Sequence, residues 1–174
     1  GVTAAVETDI CNPAWVTACN QMNLIVVPSI HTKKTIENSG VLTVPIVVIP
    51  ESFPDAFLQD SKINLNLPVR TDFNFLIFGQ LTGNNAFIDR KNTFFALKWL
   101  SEEFANDPDV GIILKTNHGR NTSSDRRFVN QVVKQVSDEL NSSVPIYLLH
   151  GAMEDGEIKA LFENDKVKAL VSPT

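Results

Sequence analysis

The chain has 174 residues, 43% of them hydrophobic, and 15 Lys+Arg against 20 Asp+Glu give a net charge of -5. Mean hydropathy is -0.01 and the pI is near 5.1. This balance fits a folded globular chain and excludes disorder, collagen and a coiled coil. No apolar run approaches the ~18 residues of a membrane span, and the acidic balance argues against a nucleic-acid surface.

Taken in chain order, short β-rich apolar runs fall at 2–6, 24–27, 46–49, 75–78, 110–114, 144–149 and 167–171. Most lack polar/apolar alternation, the pattern of strands covered on both faces of a parallel sheet. Helical segments lie between them. Asn12 followed by Pro13 opens a helix carrying Trp15, Val16, Cys19 and Met22. Ser29 caps a second helix, which Gly40 is expected to end as a left-handed stop. Residues 51–72 hold Pro54 and Pro68 with no helical period and read as a join. Asn92 is placed to cap a helix over 93–106, with Phe94, Phe95, Leu97, Trp99, Leu100 and Phe104 partly inward. Phe128, Val129, Val132, Val133, Val136 and Leu140 repeat at helical spacing behind Ser123, Ser124 and Asp125, and a last helix spans about 154–163. Strands alternating with helices predict an α/β fold with Rossmann-like parallel sheets flanked by helices, divided into units over 1–67 and 68–174.

Cys11 and Cys19 form neither a zinc pattern nor a disulfide framework. The expectation is no metal, a reducing compartment and a cytoplasmic location. A chain that opens without Met on one apolar stretch and closes on another reads as part of something longer.

The glycines have neither G-x-G-x-x-G nor P-loop spacing, and Gly-x-Ser-x-Gly and His-Glu-x-x-His are missing. Position then guides the search, because open parallel sheets bind ligands outside the carboxyl ends of their strands. After 75–78 come Gly79, Gln80, a loop and Arg90-Lys91 at a helix mouth; Lys115 through Arg120 follow the next strand, and His150-Gly151 the one after. Cations at a helix N-terminus oppose its dipole at a cost of ~0.3–1 kcal/mol when exposed. A bound anion would remove that cost and take the free N–H groups. The same residues also read as solvated loop cations, His118 and His150 as loop histidines with satisfied hydrogen bonds, and Glu7 with Asp9 as the polar exit of a strand.

Several of these residues fall in a familiar order. Glu7-Thr8-Asp9, Pro13-Ala14-Trp15-Val16, Cys19-Asn20, Val27-Pro28-Ser29 and Ser39-Gly40-Val41 resemble the end of the N-terminal domain of GT-B glycosyltransferases. Phe75 through Gly79, Arg90-Lys91-Asn92 and Ala169-Leu170-Val171-Ser172-Pro173 resemble the opening of their C-terminal, nucleotide-sugar-binding domain. The resemblance implies transfer of a sugar from a nucleotide-diphosphate donor to an acceptor hydroxyl, without metal or cofactor, the nucleotide-sugar being substrate. It implies donor diphosphate contacts at Arg90, Lys91, Gly79 and Gln80, where family members often have Arg in the place of Gln80. Lys115, His150, Gly151 and Met153 are implied around the nucleotide, and no catalytic residue is assigned. The family's glutamate pair would follow Thr174, so these residues by themselves are expected to lack turnover.

Two other readings stay open. One is a self-contained doubly wound module for a small anionic ligand. The other is a self-associating protein whose sheet edges pair between copies, and a homodimer is an expectation of the fragment reading too.

Overall fold

The computed structural model describes residues 1–4, 8–60, 63–81, 89 and 91–172. The chain falls into two units, Gly1–Phe53 and Pro54–Thr174. The join expected at 67/68 therefore lies earlier. Residues 54–67 go with the second unit because Leu65 and Leu67, followed by Val69, pack on its core residues Leu76, Ile113 and Leu161. Asn164 and Lys159 hold the same segment through the carbonyls of Leu65 and Phe57, at 2.7 and 3.3 Å.

In the first unit, α1 (Pro13–Cys19) and α2 (Ile30–Asn38) accompany parallel strands β1 (Ile25–Val27) and β2 (Ile46–Val48). The caps act as the sequence predicts: Asn12 Oδ1 accepts from Ala14 N at 2.9 Å and Ser29 Oγ from Thr32 N at 3.0 Å. Cys11, Val16, Cys19, Ile25, Val27 and Ile36 form the core, while Trp15 and Met22 remain partly outside it. Of the strand expected over 2–6, the described residues 2–4 form a parallel bridge, Val2 to Val26, while residues 5–7, and hence Glu7, lie outside those described. Gly40 is no left-handed stop. It is absent from the positive-φ glycines, and the helix closes at Ser39 in right-handed geometry.

The second unit begins with a short 3-10 turn, Asp55–Leu58, in the stretch read as having no helix. Its strands are β3 (Phe73–Phe78), β4 (Val110–Thr116), β5 (Ile146–His150) and β6 (Val167–Val171). They form one parallel sheet in the order β5-β4-β3-β6. Helices α3 (Thr93–Glu103), α4 (Ser123–Glu139) and α5 (Asp155–Phe162) connect them.

Both faces are covered, which explains the unbroken apolar runs. Successive side chains in a strand point to opposite faces. Ile77, Ile112 and Leu114 pack with Ala96 and Leu97 of α3 and Val129, Val133 and Val136 of α4. Leu76 and Ile113 pack on the other side with Leu161 of α5. Each fully buried aliphatic side chain contributes roughly 1.5–3 kcal/mol, more than the ~1 kcal/mol of a typical cap. Core burial therefore decides where these helices lie. Gly111 is required for packing: a Cβ there would stand 2.4 Å from Thr71 Oγ1 and 2.5 Å from Asn74 Oδ1. Those two atoms share a buried hydrogen bond of 2.5 Å.

Helix starts and faces show two local differences. The α4 cap is Thr122, whose Oγ1 accepts from Asp125 N at 3.2 Å while Asp125 Oδ2 accepts from Thr122 N at 2.9 Å, a reciprocal capping box. Phe128 and Trp99 lie on helical apolar spacings yet are 50% and 56% exposed; their rings meet His118 and Phe95 instead of the core.

Candidate functional site

The chain runs β3, β4, β5 outward in one direction and then returns to place β6 on the other side of β3. Such a reversal is a topological switch point, beside which open parallel sheets form a crevice at their carboxyl ends. A cavity of about 590 Å³ lies there, within the second unit. Phe78, Gly79 and Gln80 reach it from the end of β3, and Lys115, Thr116 and Asn117 from the end of β4. Asp89 and Lys91 enter from the approach to α3, and Met153 and Ile158 from the β5–α5 connection and α5.

Of the residues the sequence singles out, Gly79, Gln80, Lys91, Lys115 and Met153 line this cavity. Arg90 lies outside the described residues. His150 is not among the described lining residues; its Nε2 stands 3.0 Å from the His118 carbonyl oxygen. Gly151 contributes at one remove. Held at φ 122, it gives its N–H to the Thr116 carbonyl at 3.0 Å and its own carbonyl oxygen to Lys115.

The N-terminus of α3 differs from expectation. Asn92 occupies the cap position in left-handed geometry and makes no side-chain cap bond. Asp89 does the capping: its carboxylate accepts from Lys91 N at 2.9 Å and Thr93 N at 2.7 Å. Asp89 thus holds the amides of Lys91 and of Thr93, the first residue of the helix, where an external anion was expected. Lys91 itself is exposed, with its side chain at the cavity mouth.

Gly79 has a definite steric reason. A Cβ there would come within 2.5 Å of Thr93 Oγ1 and 2.6 Å of its Cγ2, so glycine lets the first turn of α3 close onto the end of β3. Thr93 is fully buried, and its hydroxyl has no hydrogen-bond partner among the described residues.

Lys115 is the most unusual group. It is 3% exposed, and its Nζ donates to Asn117 Oδ1 and to the Gly151 carbonyl oxygen. Burial pushes its pKa below the ordinary 10.5, because removing a cation from water disfavours the charged form. The adjacent Thr116 hydroxyl is also buried without a partner. Among the described residues, no group of three or more His, Cys, Asp or Glu converges as a metal site would require. No helix among them is long and apolar enough to cross a membrane.

Sequence reasoning assigned no site role to Asp89, Thr93, Thr116 or Asn117. Asp89 had a readable signal, a carboxylate just ahead of a helix start, which can turn back onto the first amides. The orphaned hydroxyls had none, because their isolation depends on neighbours distant in sequence.

No family model matches the sequence, and no curated protein matches it. Among solved structures the chain is similar to α,α-trehalose 6-phosphate synthase from Burkholderia multivorans, at 11% identity and a TM-score of 0.47. The match covers 86% of this chain and 39% of that one, so the chain spans well under half the length of that enzyme's chain. A likeness at this identity and score assigns no role to any residue.

Proposed function

We propose that the second unit binds the diphosphate of a nucleotide-sugar in the cavity at the ends of β3 and β4, and that the chain serves transfer of the sugar to an acceptor hydroxyl. One observation carries this reading: Gly79, Gln80, Lys91, Lys115 and Met153, far apart in sequence, line one cavity beside the switch point of a parallel sheet. Lysine side chains there would stabilise the charge that develops on a departing nucleoside diphosphate. Because Asp89 already holds the Thr93 amide, side chains would carry most of the phosphate binding.

Calorimetric titration with UDP, GDP and their sugar conjugates tests the proposal. Diphosphate binding is expected to weaken with added salt and to fall about tenfold in Lys91→Ala, the lower end for a hydrogen bond to a charged group at an exposed site. Indifference to Lys91→Ala, or no nucleotide binding at all, would refute it. The Asp89 carboxylate on the cavity wall favours a second reading, a self-contained module for a small anionic ligand. Tighter binding of monophosphates or carboxylates than of diphosphates would support that module instead.

A further inference from the structure

Lys115 sits in an environment that is incomplete without a ligand. The lysines with carboxylate partners, Lys33, Lys98, Lys159 and Lys166, form them at exposed or partly exposed sites. Lys115 is 3% exposed, and no described carboxylate lies within ion-pair distance of it. The strand register sets it beside Phe78 and Leu149, which offer no charge. Its ammonium has three donors; neutral oxygens of Asn117 and Gly151 accept two, the latter at 2.5 Å. No described residue accepts from the third, and Lys115 lines the cavity. The Thr116 hydroxyl is likewise buried with no hydrogen-bond partner among the described residues, although as the next strand residue it points to the other face of the sheet. Burying a cation is costly unless it is paired, and a buried hydroxyl without a hydrogen bond carries its own penalty. A buried cation with no described counter-charge, lining a cavity, suits an anionic ligand rich in oxygen.

We propose that Lys115 is a phosphate-binding residue on the inner wall of the cavity. A phosphoryl oxygen of the ligand accepts from its remaining N–H. The inference rests on the cavity being an anion site, as in the function proposed above, but not on the anion belonging to a nucleotide-sugar. It adds an inner contact to the outer one at Lys91, so the ligand class narrows to compounds whose phosphate enters the cavity.

The test is calorimetric titration of inorganic pyrophosphate and of UDP into the wild-type chain, Lys115→Met and Lys91→Ala, with melting curves for each. Lys115→Met keeps the apolar stem and removes the unpaired buried charge. It is expected to melt no lower than wild type while binding pyrophosphate at least tenfold more weakly. A structural lysine would instead lower the melting temperature and spare the affinity. Should Lys115→Met not fold, Lys115→Gln, which keeps a donor but no charge, carries the same expected loss of affinity. A folded charge-free variant binding pyrophosphate within twofold of wild type overturns the inference. If UDP still binds and responds to Lys91→Ala in that case, the function proposed above survives alone. If the wild type binds neither pyrophosphate nor UDP, both fall.

Discussion

The contact between Gly79 and Thr93 allows a quantitative test of how the cavity is shaped. An alanine Cβ at position 79 would stand 2.5 Å from Thr93 Oγ1 and 2.6 Å from Cγ2, where ordinary contacts lie near ~3.5–4.0 Å. The first turn of α3 must therefore retreat by roughly 1 Å, and overpacking of this kind costs about 1–3 kcal/mol. At roughly 4 °C per kcal/mol for a domain of intermediate size, Gly79→Ala should melt about 4–12 °C below wild type. Thr93→Ala removes both offending atoms and leaves Thr93 Cβ at 3.1 Å. It sacrifices no hydrogen bond, since Thr93 Oγ1 has no partner, and the lost methyl is worth about 1 kcal/mol. The double variant should accordingly be more stable than Gly79→Ala alone, with a coupling energy of at least ~1 kcal/mol. Differential scanning calorimetry on the four proteins measures the cycle, and pyrophosphate affinity should fall and recover in parallel because the same shift moves Lys91. Were Gly79→Ala to cost under ~0.5 kcal/mol, the usual size of a surface effect, or were Thr93→Ala to give no rescue, the close approach of α3 to β3 would be wrong.

Three further predictions concern carboxylates. Asp89→Ala should destabilise the second unit by about 0.5–2 kcal/mol through loss of the α3 cap, measured by urea unfolding. Asp89→Asn keeps an acceptor but removes the negative charge from the cavity wall, and should strengthen pyrophosphate binding roughly two- to fivefold; unchanged affinity would show that the phosphate lies elsewhere. Asp125 is held below the usual 3.8 by the backbone N–H of Thr122, then by the Thr122 hydroxyl, and Asp72 is held low by its hydrogen bond from Lys166. In both cases the unfolded carboxylate takes up its proton first as pH falls. The stabilisation is therefore complete above the ordinary carboxylate pKa and is lost as pH drops through the lower folded value. Asp125→Asn combined with Asp72→Asn should flatten the acid limb of a melting-temperature profile below about pH 4, and an unchanged limb would contradict these contacts.

Legibility in the sequence followed the range of the interactions involved. The caps at Asn12 and Ser29 bond to amides two or three residues away, so a short window contains the whole motif. The last strand, Val167–Val171, has the bounds its apolar run predicts. Helix faces were read less well at Phe128 and Trp99, where apolar periodicity continues onto half-exposed surface. Asn92 was named as a cap on residue type alone, whereas the geometry of the preceding turn gives that role to Asp89.

The sequence by itself determined a parallel α/β chain, its helix and strand order, and the collection of lysines and glycines after the strands, because apolar periodicity and chain order are properties of contiguous segments. Tertiary structure alone decided the strand order β5-β4-β3-β6, the passage of residues 54–67 to the second unit, and the character of Lys115. A lysine in a loop-like string reads as solvated. It becomes a buried cation without a counter-charge only when Phe78 and Leu149 flank it across the sheet and the Gly151 carbonyl reaches its ammonium, and no local pattern encodes that convergence.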